Sequence, residues 1–342
     1  VRSGEELDVA SVDAWLKQRL TLRGTPRVTQ YSGGASNWTY RLQYESDDLV
    51  LRRPPAGTKA RSAHDMGREF QVQRALRPVY PYVPEMLAFC DDAQVIGCDF
   101  YVMRRIAGLI PRARLPEGLT LDREQAHRLG LAFVDRLVEL HQVDVAAAGL
   151  GGLGKGAGYA RRQIEGWVDR FGKARTWNVP RFRKVIAWLQ RSVPDDVATC
   201  VVHNDFRLDN LVLDPDDPTR VVGVLDWEMA TLGDPLMDLG NSLAYWIQAD
   251  DDMIARSTRR QPSHLPGMPT RRELVARYLE RTGRAPRNWA FYEVYGVFRL
   301  AVIAQQIYYR YHHGQTRNPA FRHFWFLVHY LQWRCHRLMQ GA

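Results

Sequence analysis

The chain has 342 residues, 45% of them hydrophobic and 25% charged, which places it in the globular range and gives it room for two packed lobes. Its net charge of +9 comes almost wholly from scattered arginines, with lysine only at Lys17, Lys59, Lys155, Lys173 and Lys184; a nucleic-acid binder would cluster its basic residues with interleaved aromatics, so no nucleic acid is expected as a partner. Cys90, Cys98, Cys200 and Cys335 include no C-x-x-C pair, which argues against a disulfide framework and a zinc site. No stretch reaches the length of a membrane span, and residues 1–13 lack the basic start and apolar core of a signal peptide, so a cytoplasmic protein without a membrane partner is expected.

Leu7, Val12, Trp15, Leu16 and Leu20 recur at near-helical spacing and predict a first helix. Residues 27–31, 38–44 and 49–52 then read as three strands joined closely enough to be antiparallel. The first two are linked through Gly33, Gly34, Ser36 and Asn37, where glycine would let backbone N–H groups approach a phosphate, although the same residues could form an ordinary hairpin. Alternation in the third strand puts Val50 and Arg52 on one face. A helix over 64–76 ends at Pro78, Pro81 and Pro84, and two more strands follow at 86–90 and 100–104.

Residues 1–104 therefore predict a small lobe built on an antiparallel sheet, and residues 105–342 a larger, mainly helical lobe: an α+β protein. In the second lobe the clearest helix spans 122–142, with Asp122 as its cap and Leu129, Phe133, Leu137 and Leu140 on one stripe. Gly149, Gly151 and Gly154 match G-x-G-x-x-G but follow a helix, so the dinucleotide fingerprint lacks its strand. A strand pair is expected at 200–202 and 211–213, then a turn at 214–219 and a strand at 221–225. Asp238 precedes an apolar helical run and could cap it, Asp250 to Asp252 read as a solvated loop, the doublet Arg271 and Arg272 as a solvated face, and the aromatic stripe over 289–333 as core.

The chemistry concentrates in residues 201–213. A polar loop between two apolar strands carries a carboxylate, Asp205, and five positions later a carboxamide, Asn210; one hairpin further on, the next strand ends at a second carboxylate, Asp226. Phosphoryl transfer requires one carboxylate near the attacking hydroxyl and oxygen ligands for Mg²⁺, which takes few protein oxygens and completes its shell with phosphate and water.

The order His203-x-Asp205, Asn210, Asp226 resembles the catalytic loop and metal-binding aspartate of protein kinases. The wording HNDFRLDN…LDWE…GDPLMDLG is similar to the aminoglycoside phosphotransferases and their choline-kinase-like relatives, in particular the branch that occurs as a kinase-like domain attached to acyl-CoA dehydrogenases. The resemblance implies a bilobal kinase-like fold and a phosphotransferase that moves the γ-phosphoryl group of ATP or GTP to a small-molecule hydroxyl. It makes Asp205 the base, Asn210 and Asp226 the Mg²⁺ ligands, and His203 and Asp238 the supports of the loop. It places Gly33, Gly34, Ser36 and Asn37 over the phosphates, Met103 beside the base of the nucleotide, and the Arg104 carbonyl and Ile106 N–H as its hydrogen-bonding partners.

One departure stands out. Kinases carry a lysine on the third strand, paired with a helix glutamate; here the strand ends in Arg52, with Glu69 as the matching acid. That substitution motivates an alternative, a nucleotide-binding pseudokinase with a scaffold role. Glu228 could reach a metal or face solvent. The acceptor is open, with Arg299, Tyr308, Tyr309 and Arg310 suiting an anionic or acyl compound better than a polycation.

Overall fold

A computed structural model describes residues 5–31, 37–55 and 65–341. Gly33, Gly34 and Ser36 of the expected phosphate loop lie outside the described residues.

Five antiparallel strands, β1 (Arg27–Gln30), β2 (Trp38–Gln43), β3 (Asp48–Arg53), β4 (Met86–Cys90) and β5 (Phe100–Arg104), form a sheet in the order β1-β2-β3-β5-β4. Strand alternation gives the sheet two faces. Tyr40, Leu42, Leu49, Leu51, Phe100 and Val102 point to α1 (Val9–Lys17) and bury Val12, Trp15 and Leu16 against it. Val50, Tyr101 and Met103 point the other way, under Met66 and Phe70 of α2 (Met66–Leu76). Each such side chain taken from water contributes on the order of 1.5–3 kcal/mol. Asp65 caps α2 by accepting the Arg68 N–H at 2.8 Å. Between β4 and β5 lies a short helix the sequence reading missed, α3 (Ala93–Ile96), capped by Asp92.

The helical lobe is built around α4 (Arg123–His141), started by a capping box in which Asp122 and Gln125 satisfy each other's backbone N–H groups. It continues through α5 (Tyr159–Ala174) and α6 (Arg183–Arg191) to a small β island. The expected pairing there is wrong: β6 (Cys200–Val202) pairs with β9 (Thr231–Gly233), and β7 (Leu211–Leu213) with β8 (Val221–Val224). The loop after β6 ends in a 3₁₀ turn at Leu208–Asn210, which carries the chain away from β6 instead of folding it back as a hairpin. Two ladders then bring the Asp205 loop and the end of β8 together.

The next helix, α7 (Pro235–Ala244), also differs from expectation. Its cap is Asp234, whose carboxylate accepts the Leu236 and Met237 N–H groups at 2.8 and 3.0 Å, with Pro235 at the first helical position, where its missing N–H costs nothing. Asp238 is thereby moved from the cap into the first turn and fully buried. Of the acidic run, Asp250 and Asp252 are exposed as expected, Asp252 also capping α8 (Met253–Ser257), whereas Asp251 departs from a solvated loop by pairing with Arg271, the first residue of α9 (Arg271–Thr282), at 2.7 Å. Of the aromatic stripe, α10 (Trp289–His312) buries Phe291, Tyr292, Tyr295, Phe298 and Tyr308, whereas Trp325, Phe326 and Trp333 of α11 (Phe324–Gln340) are exposed. Among the described residues no helix is long and apolar enough to cross a membrane.

Helices α7 and α10 cross at glycine. A Cβ on Gly296 would sit 2.2 Å from the Gly240 carbonyl oxygen, and one on Gly240 2.4 Å from that of Tyr292. Since α7 carries Asp238 and α10 carries Arg299, this approach sets the distance between two groups that hold the Asp205 loop. Gly296→Ala is expected to cost at least about 1–3 kcal/mol, the usual scale for overpacking, as read by urea unfolding. Undiminished stability would show that the helices can separate without cost.

Candidate active site

The Asp205 loop is held by its backbone. Asp238 accepts the His203 N–H at 2.7 Å on one oxygen and the Asn204 N–H at 2.8 Å on the other. Asn204 has φ 64°, a left-handed conformation that asparagine tolerates better than most residues. Its side chain accepts from the Tyr159 hydroxyl at 2.9 Å and donates to the Met229 carbonyl at 3.1 Å, and its own carbonyl accepts from Arg299 at 2.7 Å. His203, wholly buried, lies between the Asp205 N–H at 3.2 Å and the Leu225 carbonyl at 3.0 Å. The Asp205 N–H can only donate to Nδ1 and the Leu225 carbonyl can only accept, so the ring proton is on Nε2. One imidazole thus ties the Asp205 loop to the residue before Asp226.

Asp205 itself is partly open. It receives the Asn210 amide on its side chain at 3.2 Å and on its carbonyl at 2.9 Å. With both contacts made by the amide nitrogen, the amide oxygen of Asn210 is left for another partner. The Asn210 carbonyl accepts the Leu225 N–H at 2.8 Å, next to Asp226 at φ 68°. Asn210 and Asp226 line the same cleft and offer hard oxygen donors, which fits Mg²⁺.

Across the cleft Arg52 spans three carboxylates: Glu69 at 2.8 Å, Asp226 at 3.2 Å and Glu228 at 3.5 Å. Burial pushes the Glu69 carboxyl above the ordinary glutamate range, and the Arg52 guanidinium opposes it. Tyr101 also donates to Glu69 at 2.8 Å. Glu228 accepts from Asn37 at 3.2 Å, so it faces the small lobe as well as the cleft. Arg68 of α2 donates to the Ala230 carbonyl, a further tie between lobes.

The cleft, about 300 Å³, has Val50, Met103, Ile106, Val212 and Leu225 as apolar walls. The Arg104 side chain turns outward to Asp47 and Glu85, and Ile106 lies against Gly223. Beside Asn204 a second cavity of about 340 Å³ is lined by Gln163, Trp167, Arg170, Met229, Arg299 and Gln306. Through Arg170 and Gln306 it adjoins a third, about 450 Å³, which reaches Lys173, Tyr309 and Arg310. Among the described residues neither of these two is lined by a carboxylate.

Sequence reasoning missed several residues that the fold brings to the loop. Arg207 lies 3.3 Å from Asp205 and 3.2 Å from Asp209, with its guanidinium 4.8 Å from the Tyr245 ring centre. Its place two residues after Asp205 was a usable signal. Tyr159, and His141 beside Asp238, gave none, because each reads as one more position on an amphipathic helix. Arg299 and Tyr308 were expected to face an acceptor; Tyr308 is instead buried, accepting from Asn178 at 2.9 Å, and Arg299 lends the second cavity one edge while its own contact is with Asn204.

Residues 27–274 match the phosphotransferase enzyme family (APH). Acyl-CoA dehydrogenase family member 11 of Rattus norvegicus is 38% identical over 322 residues, covering 92% of this chain and 41% of that protein, so the chain spans less than half of this relative's length. A crystal structure from Ralstonia eutropha, assigned as an aminoglycoside phosphotransferase, superposes with a TM-score of 0.84 at 29% identity, covering 98% of this chain and 99% of that one. A ternary complex of APH(2″)-IIa with streptomycin and ATP shares the fold at a TM-score of 0.57 and 16% identity, covering 98% and 97%. The architecture is thus the α+β, kinase-like fold of the aminoglycoside phosphotransferases.

The Arg52–Glu69 pair makes a stability prediction. Removing one partner of a buried ion pair leaves the other uncompensated, so Arg52→Ala should cost roughly 3–5 kcal/mol. Arg52→Met combined with Glu69→Leu should recover most of that loss, because apolar replacement of both partners is often neutral. Denaturant unfolding of the two variants and wild type is the check; a double variant no more stable than Arg52→Ala would show that the loss does not come from leaving Glu69 unpaired.

Proposed function

The chain belongs to the phosphotransferase enzyme family, and we propose that it transfers the γ-phosphoryl group of ATP or GTP to a hydroxyl of a small molecule. The observation that carries this reading is that Asn210 and Asp226 line one side of the cleft opposite the cationic Arg52, with the Asp205 carboxylate bonded to Asn210 at its edge.

In this reading the base of the nucleotide lies between Val50, Met103 and Ile106, bonded to the Arg104 carbonyl and the Ile106 N–H. By the family resemblance, Gly33, Gly34, Ser36 and Asn37 would be the residues to meet the phosphates. Arg52 keeps Glu69 and exchanges Asp226 and Glu228 for oxygens of the α- and β-phosphates, a task its planar fork suits. Asn210 and Asp226 would hold Mg²⁺, which neutralises phosphate charge when bound.

Asp205 orients the acceptor hydroxyl and takes its proton. The acceptor oxygen forms the new P–O bond while the bond from the γ-phosphorus to its bridging oxygen breaks, and the nucleoside diphosphate leaves with that electron pair. Positioning and charge neutralisation do the work, without a covalent intermediate on the protein.

The acceptor enters beside Asn204. The two cavities there present Arg170, Arg299 and Arg310, together with Lys173, whose charge Asp169 pairs at 2.6 Å, and among the described residues no lining residue is a carboxylate, which favours an acceptor bearing negative charge and disfavours a polycation. A screen of hydroxylated metabolites, acyl esters and aminoglycosides for acceptor-dependent ADP or GDP release tests both points. Release stimulated by aminoglycosides alone would overturn the charge assignment.

Asp205→Asn should retain nucleotide binding and lose at least ~100-fold in single-turnover transfer, the scale of a positioned general base; transfer close to wild type would remove Asp205 from that role. Asp226→Ala should keep the fold but abolish the Mg²⁺-dependent tightening of nucleotide binding seen by titration calorimetry. A metal effect of unchanged size would place the cation elsewhere.

A further inference from the structure

Behind the Asp205 loop runs a buried chain of polar groups that the proposed chemistry does not use. Arg284 donates to the Tyr278 hydroxyl at 2.8 Å, and that hydroxyl lies 2.7 Å from His141 Nδ1. His141 Nε2 in turn lies 3.1 Å from Asp238, on the oxygen that also accepts the His203 N–H. An ionised carboxylate can only accept, so the imidazole carries a proton on Nε2, and in the neutral ring Nδ1 is left to accept the hydrogen of the Tyr278 hydroxyl, whose oxygen accepts from Arg284. The polarity of the chain, from α9 and the segment after it through α4 to α7, is set by its last member, the acceptor Asp238.

We infer that His141 is a positioning residue for phosphoryl transfer: by donating to Asp238 it holds the carboxylate that fixes the His203 and Asn204 amides, and so sets where Asp205 meets the acceptor. This rests on the phosphotransferase reading above. The side chains of His141 and Asp238 are both fully buried, so neither can turn to solvent for a substitute partner. Burial holds the His141 imidazole below the ordinary histidine range, against the pull of Asp238, in keeping with a neutral ring whose proton is on Nε2. Asp238 stays ionised: burial alone would raise it, but the His141 bond and the His203 amide outweigh that and hold it below the usual aspartate range.

The loop has little tolerance for a slack Asp238. Asn204 is left-handed, and Asp205 follows it directly. A small rotation at Asn204 is carried undiminished to the Asp205 carboxylate, and misplacement by an ångström costs on the order of 100-fold in a reaction that depends on positioning. Arg299 and Tyr159 support Asn204 independently, so the loss on removing His141 should be partial.

The test is turnover of magnesium ATP and magnesium GTP, with water or an acceptor from the screen taking the phosphoryl group, for wild type, His141→Leu, His141→Gln and Tyr278→Phe. His141→Leu should lower kcat roughly 10–100-fold with the nucleotide KM unchanged within about twofold. His141→Gln, whose amide can still donate to Asp238, should recover much of the loss; Tyr278→Phe, which removes the partner of Nδ1 and leaves the ring less firmly oriented, should fall between. If His141→Leu does not fold, the Gln and Phe variants decide alone: kcat equal to wild type in Tyr278→Phe, or a loss in His141→Gln as large as in Asp205→Asn, overturns the role. An active wild type with unchanged kcat in His141→Leu, or a change in KM only, overturns the positioning role and spares the phosphotransferase reading. A wild type that turns over neither nucleotide with any acceptor overturns the reading and this role with it.

Discussion

One buried carboxylate organises the Asp205 side of the cleft. Asp238 has no exposure, and a charge in that position is tolerable only if every oxygen is bonded. It meets this condition with two successive backbone amides and one imidazole. The consequence is geometric: consecutive amides drawn to one carboxylate bend the chain sharply at Asn204, and the next side chain, Asp205, is thrown toward the cleft. His203 then extends the same order to the Leu225 carbonyl, one residue before Asp226. The two carboxylates expected to do the chemistry are therefore placed by a single rigid assembly, and the desolvation of Asp238 is offset by the precision it confers.

Arg52 performs the corresponding task for the lobe interface. A lysine ammonium is a compact point charge on a flexible stem, whereas the guanidinium fork can keep one nitrogen on Glu69 while the other reaches Asp226. The departure from the kinase pattern thus preserves a cation at the right face of β3 and adds a direct tie to the opposite lobe. It acts alongside Arg68, which reaches the Ala230 carbonyl, and the Val224 N–H, which donates to the Tyr82 carbonyl at 2.8 Å. Opening the cleft must break several charge-assisted contacts, and in the proposed reading nucleotide phosphates would replace the carboxylates displaced from Arg52.

Helix packing reaches the site through the same groups. The glycine crossing of α7 and α10 brings Asp238 and Arg299 onto the loop from two directions, and Arg299 lies 5.1 Å from the Trp167 ring in the cavity beside Asn204. Whatever fills that cavity touches residues that hold the loop, so an acceptor bound there, as proposed, would bear directly on the orientation of Asp205.

Much of this was written in short windows of sequence. The five strands, the cap at Asp122, the shared face of Val50 and Arg52, and the loop from His203 to Asn210 follow from alternation, capping and turn chemistry, each of which needs only a few neighbouring residues. The order of Asp205, Asn210 and Asp226 was enough to propose the chemistry. Partners distant along the chain were not legible: the pairing of β6 with β9, the burial of Asp238 beyond a cap at Asp234, and the approach of His141 to Asp238 across 97 positions or of Arg52 to Asp226 across 174. Local patterns fix which face of a helix or strand is apolar, but a buried polar side chain acquires its partner only when separate elements pack. For His141 and Asp238 that packing decided everything.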